Sequence, residues 1–284
     1  QKGYLWIAHS LGLSRYDGLN FRTYSHPGQI NLRTADIVED GHGRIWFHNF
    51  SGQVFYIENG IVHLLASYDY QHENQSPRMA ICGNSLFVTS YKGLFVCNTD
   101  DLTAKFYSFR RTIATAVVSL AVSENKAVVF NNLDWYIFDG KRLHLVTKQP
   151  SLSLPANDLV SLQPATFHDT LFLTANPSGE FYKLKVENDK VVPISRHAYH
   201  DFISAVTVDD GVWVHTRNRS IHLRTGKTIY NTDLTDVVKD KEGNVWYGSR
   251  REGLLVEYRP SFWQRINFQI GKNDYIRSLN ANAG

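Results

Sequence analysis

Two cysteines and one methionine in 284 residues are scarcities that exclude as much as they describe. Cys82 and Cys97 are too few to staple a small disulfide scaffold, and they lack the CxxC spacing of metal and redox sites. The longest apolar run, Ile113 to Val122, falls well short of the roughly 18 residues that a membrane-crossing helix needs, so no membrane contact is expected. Residues 1–10 have no charged segment followed by an apolar one, which reads as an excised or processed piece without a signal peptide. No GxxxxGK[ST], HExxH or GxSxG motif occurs. Neither sign of charge dominates: the net formal charge is +3, and the basic points Arg110-Arg111, Arg217/Arg219 and Arg250-Arg251 read as solvated loop charges. Nothing in that balance demands nucleic acid as a partner.

Aromatic residues are plentiful instead. Tyr 15, Phe 16 and Trp 6 suit pleated, half-buried surfaces and point to strands. An internal repeat organises them. LWIAHSLGLSRYDGLNFRTYS from Leu5 aligns without gaps with IWFHNFSGQVFYIENGIVHLL from Ile45, and weaker copies start at Leu86, Ala127, Leu171, Val212 and Val245. The anchors of the seven units are Trp6, Trp46, Phe87, Val128, Phe172, Trp213 and Trp246, spaced by 40, 41, 41, 44, 41 and 33 residues. Each unit holds three β-runs separated by Gly or Asp/Asn-Gly turns, and a further apolar run precedes the anchor, as in ADIVEDGHG and TDVVKDKEG. Such turns fit tight hairpins, because Gly and Asn tolerate positive φ and Asp bonds its own backbone.

Four strands in about 40 residues mark propeller blades rather than helical solenoids. The expected fold is all-β: a seven-bladed β-propeller with four antiparallel strands per blade, forming a single domain over 1–284. The chain opens on a second strand and closes on what reads as a first strand, so residues 275–280 are expected to pair with residues 4–9 and leave no open sheet edge. The anchor tryptophans are expected to fill the gaps between blades. Cys82 falls on a first strand and Cys97 on a third, about 9–10 Å apart and beyond disulfide reach, so both are expected as free, buried thiols.

The string WIAHSLGLSRYDGLNFRTY followed by IVEDGHGRIWF resembles the two-component regulator propeller repeat, D-x-x-G-x-[LI]-W-[IV]-G-T-x-x-G-L-x-[RK]-[YF]-[DN]-G-x-x-F. The match is strong at Asp40 to Trp46 joined to the first unit and at Asp240 to Leu254. The Gly-Thr after the anchor persists approximately as Gly248-Ser249 and is replaced by Ala8-His9 and His48-Asn49. The resemblance implies the periplasmic sensor half of a hybrid two-component system or sensor histidine kinase of Bacteroidetes, responding to an oligosaccharide and joined to further receptor domains. No kinase part lies in this sequence.

Catalytic signals are weak. Carboxylates such as Asp17, Asp40, Asp139, Asp209 and Asp240 occupy turn positions, where bonding to the backbone accounts for them. His48 and His215 both lie two residues beyond an anchor and read as loop or channel-lining histidines; no catalytic residue, metal ligand or cofactor is expected. The propeller fold directs attention to the face formed by interblade connections and by loops between second and third strands. There the chain offers Arg33, Arg78, Asn157, Asp158, His200, Asp233, Asp274 and Tyr275 as ligand-binding candidates, with Asn31 and Thr34 nearby. Guanidinium, amide and carboxylate groups match the hydroxyls of sugars, anionic ones included given the arginines, and a tyrosine supplies a stacking surface. The alternatives are an interaction or dimerisation scaffold without a small-molecule site, and a polysaccharide lyase or hydrolase.

Overall fold

A computed structural model of the chain describes residues 3–68, 77–112, 118–123, 126–147, 150, 152, 159–164, 170–176, 178–208, 211–230, 234–250, 252–258, 262–266, 268 and 276–281. All regular elements among them are strands, arranged as seven four-stranded antiparallel sheets. The fold is a seven-bladed β-propeller, as the repeat predicts.

The first strands of blades 2 to 7 are Thr34–Glu39, Met79–Cys82, Ser119–Ser123, Leu159–Pro164, Phe202–Val208 and Leu234–Lys239. Each is followed in sequence and in its sheet by a second strand: Ile45–Asn49, Ser85–Ser90, Lys126–Phe130, Thr170–Asn176, Gly211–Thr216 or Val245–Ser249. Every anchor from Trp46 to Trp246 lies on one of these second strands. Blade 1 differs in that its first strand comes from the far end of the sequence. Ile276–Ala281 pairs antiparallel with Leu5–His9, placing Trp6 opposite Asn280, Ile7 opposite Leu279 and Ala8 opposite Ser278. This is the expected seam; Tyr275 lies outside the described residues.

Packing sorts the chain into two compact units, residues 1–76, 218–220 and 229–284 in one and residues 77–217 and 221–228 in the other. In the first unit Trp6 packs with Ile37, Ile45 and Phe47 of the next blade. Trp246 likewise packs with Leu5, Ile7 and Tyr16. These two tryptophans therefore fill gaps between blades, as expected of anchors. The core of the second unit gathers Val128, Trp135, Ile137, Leu162, Leu173 and Tyr182 in one cluster and Phe87, Leu120, Val129 and Phe138 in another.

Two local devices recur and explain the repeat's consensus. The first is the turn aspartate. Asp40 accepts the N–H groups of His42 and Arg44 at 2.9 Å each, and its other oxygen accepts the Trp46 indole N–H at 2.8 Å. Asp240 does the same for Asn244 and for Trp246, at 2.8 and 2.7 Å. The six-residue interval from Asp to Trp thus ties a hairpin turn to the anchor it precedes. Asp17 and Asp139 cap their own turns through two backbone N–H groups each, so the turn reading holds for all four; Asp209 lies outside the described residues.

The second device is a buried polar residue three places after the anchor. His9, Asn49, Ser90, Asn131 and Ser249 are all buried. Each accepts the backbone N–H of a residue two or three places on, in the turn between second and third strands. The second residue of the consensus Gly-Thr is therefore a turn cap, a role that Ser, Asn and His fill here.

The cysteines need one correction. Both are free, and Cys97 is 1% exposed, but Cys82 is only half-buried. It ends a four-residue strand beside the turn at Gly83, where fewer neighbours cover it, although burial still raises its thiol pKa.

Candidate binding sites

Of the sequence-predicted candidates, Arg33, Arg78 and His200 are among the described residues, and Arg33 lies on a connection that a capped turn holds in place. In the first unit, Asn49 donates to the Asn31 carbonyl at 3.0 Å and the Phe50 N–H reaches the Arg33 carbonyl at 3.1 Å, fastening the connection to the turn. Arg33 is exposed. Beside it stands a pair that sequence reasoning missed: the Arg277 guanidinium lies 4.4 Å over the ring of Phe50, itself 39% exposed. The signal for Phe50 was its place in a turn directly after a cap, whereas Arg277 read as an ordinary strand residue. Asn31 and Thr34 serve the structure. Asn31 accepts the Arg33 N–H, and the fully buried Thr34 donates to the Gly12 carbonyl at 2.6 Å.

In the second unit Arg78 is exposed, and its backbone N–H is held by the Thr89 hydroxyl at 2.8 Å. His200 is also exposed, 3.4 Å from the Asp201 carboxylate. Asn157, Asp158, Asp233, Asp274 and Tyr275 lie outside the described residues.

A second group lies on the first strands of the first unit. Asp36, Asp236 and Ser278 hold the third position of their strands. The Leu279 N–H donates to one oxygen of Asp236 at 2.7 Å and the Val237 N–H to the other at 2.8 Å, while the Ile37 N–H reaches the Ser278 hydroxyl at 3.3 Å. Side chains at this position thus stitch one first strand to the next. Asp36 has φ 48°, and the register shifts between Ala35 and Val38, a bulge that turns its side chain aside. Its carboxylate lies 3.5 Å from His48 Nε2. Asp236 as a residue keeps slight exposure, but its carboxyl sits deep among protein atoms. That burial, aided by the charge of Asp36, pushes its pKa up to about 7 against the two N–H donors. In the second unit His215 is buried, which lowers its pKa to about 4. Among the described residues no three metal-ligating side chains converge.

A cavity of about 410 Å³ opens elsewhere in the first unit, between Tyr4, Tyr16 and Asp17 of blade 1 and Asp240, Glu242 and Trp246 of blade 7. Tyr16 stacks on Phe21 at 4.4 Å, meets Trp246 edge-on at 5.9 Å, and donates its hydroxyl to the Gly18 carbonyl at 2.8 Å. The cavity is bordered by turns that follow first and third strands, not by the connections to which the sequence directed attention. Its signal was the Tyr-Asp-Gly of the repeat, which sequence reasoning assigned to a turn alone.

No family model matches the chain, and no curated protein matches it. Among solved structures it is similar to PorZ of Porphyromonas gingivalis, an essential bacterial surface component of the type-IX secretion system, with TM-score 0.68 and 13% identity over 94% of this chain and 37% of that one. It is similar to virginiamycin B lyase from Staphylococcus aureus, with TM-score 0.69 and 12% identity over 89% of this chain and 90% of the lyase. The extracellular domain of BT4673 from B. thetaiotaomicron, named as a hybrid two component system, gives TM-score 0.59 and 14% identity over 96% of this chain and 45% of that one. The chain therefore spans less than half of the first and third of these chains. What it shares with all three is the propeller fold, which hosts sensors, surface components and enzymes alike.

Proposed function

We propose that this chain is the ligand-sensing propeller of an extracytoplasmic, periplasmic two-component receptor. In this reading it binds an oligosaccharide and passes occupancy to domains outside this sequence, without chemistry of its own. The observation that carries the reading is the Arg277 and Phe50 pair, next to the exposed Arg33 whose backbone carbonyl accepts the Phe50 N–H: a partly exposed ring with a guanidinium on it suits a sugar face with hydroxyl or anionic substituents. Two further facts support it. The repeats resemble those of such sensors, and the extracellular domain of a hybrid two-component system has this fold. A non-catalytic role accords with the carboxylates of Asp17, Asp40, Asp139 and Asp240, each committed to a turn.

Calorimetric titration with neutral and anionic oligosaccharides, with product analysis of the same mixtures, tests this. Saturable binding without turnover, weakened about tenfold by Arg33→Ala or Phe50→Ala, is the expected result. Product formation would sink the sensing role and favour a lyase or hydrolase. A second reading, an interaction scaffold, draws on Leu11, Ile30 and Leu32, which are 48%, 68% and 49% exposed. Concentration-dependent self-association with no sugar binding would favour it.

A further inference from the structure

Trp6, Trp46 and Trp246 occupy one place in their blades, and two of them carry a guanidinium supplied by the chain itself. Arg44, two residues before Trp46, lies 5.5 Å from that ring and donates from Nε to Asp40 at 2.7 Å. Arg15, directly across the strand pair from Trp6, lies 6.0 Å from that ring and 4.0 Å from the ring of Tyr4. At Trp246 both positions are uncharged. Asn244 stands where Arg44 does, and Val256 is the cross-strand partner. Among the described residues the Asp240 carboxylate accordingly receives neutral donors: the Asn244 N–H, the Asn244 side-chain amide at 2.9 Å and the Trp246 indole.

The cavity of about 410 Å³ opens at this same corner. Its described walls offer the aromatic surfaces of Tyr16 and Trp246, and the carboxylates of Asp17, Asp240 and Glu242 beside the ammonium of Lys241. We propose that it is a binding site for a small organic cation, a guanidinium or alkylammonium group on a short apolar stem, which takes at Trp246 the place that Arg44 takes at Trp46. A cation over an aromatic face gains most where water is partly excluded, and a nearby carboxylate adds to that attraction. Leu5 and the exposed Leu19 would flank the stem. This site disfavours anions and stands independently of the sugar site.

Isothermal titration of the 284-residue chain tests the inference with agmatine, with N-butylurea, which has a neutral urea in place of the guanidinium and lacks the terminal ammonium, and with an arginine-containing tetrapeptide. Agmatine is expected to bind one to one, at least about tenfold more tightly than N-butylurea, and less tightly as salt is raised. Asn244→Arg, which supplies the missing guanidinium, is expected to abolish agmatine binding and raise the melting temperature. Glu242→Gln, at the exposed rim, is expected to weaken binding roughly threefold, and it decides the matter if the arginine variant does not fold. A tetrapeptide that binds more tightly than agmatine would assign the cation to a protein partner, and the reverse order to a free small molecule. Equal affinity for agmatine and N-butylurea, or agmatine binding untouched by both substitutions, would overturn the proposal.

Discussion

The Asp236 carboxylate accepts the backbone N–H of Leu279 at 2.7 Å, joining the first strand of blade 7 to that of blade 1 at the seam. The carboxyl holds its proton to about pH 7, whereas in an unfolded chain an aspartate loses it near pH 4. The stability contributed by the protonated form is therefore fully present below about pH 4 and is lost as pH rises through about 7. Asp236→Asn should flatten this part of the pH profile, whose slope for one proton is at most about 1.4 kcal/mol per pH unit. Denaturant unfolding across the window measures it, and an unaltered slope in the variant would contradict the assignment.

His215 has the opposite sign. Its burial keeps the imidazole neutral down to about pH 4, while the unfolded residue charges near 6.5. Its contribution is present above about 6.5 and lost as pH falls towards 4. His215→Gln should make the second unit less sensitive to acid between these values, followed by the same unfolding measurement. Asp236 and His215 oppose each other, so either variant alone should show the slope of the residue that remains.

The two turn aspartates should differ in worth. Asp40 holds a buried guanidinium as well as an indole; burial raises its pKa, but the bonds from Trp46 and Arg44 outweigh this and leave it lowered. Asp40→Ala leaves Arg44 without its nearest carboxylate and should cost about 3–5 kcal/mol. Asp240→Ala removes the bonds from Asn244 and Trp246, all from neutral donors, and should cost about 1–3 kcal/mol. Chemical denaturation of the two variants side by side compares them, and equal losses would show that the guanidinium adds nothing.

Gly248 tests the consensus glycine. A Cβ there would stand 2.7 Å from Ile276 Cγ2 and 3.1 Å from Thr235 Oγ1. Ile276 is fully buried and β-branched, with little room to yield. Gly248→Ala should therefore destabilise by about 1–3 kcal/mol, read as a lowered unfolding midpoint. A neutral outcome would mean that the seam strand shifts freely.

Much of this was legible in the residues. The period of the anchors, the Asp/Asn-Gly turns and the unpaired strand patterns at the two ends identified the blades and the seam, because alternation and turn chemistry are local properties. The caps at His9, Asn49 and Ser249 were visible only as departures from a consensus, since a polar residue in an apolar strand does not announce its partner. The candidate sites were harder still. Arg33 was a candidate from the sequence, but Arg277, which lies on the Phe50 ring, comes from the other end of the sequence, and the cavity beside Trp246 is walled by residues more than 200 positions apart.

The sequence by itself determined the strands, their turns and the number of blades, for these depend on side-chain alternation and on which residues accept positive φ. Only the tertiary structure decided which charges meet. Asp236 comes close enough to Asp36 for their charges to interact, Arg277 lies on Phe50, and among the described residues no guanidinium lies over Trp246 as Arg44 lies over Trp46. Electrostatic and cation–π energies depend on distance and on excluded water, and these arise where separate blades pack together.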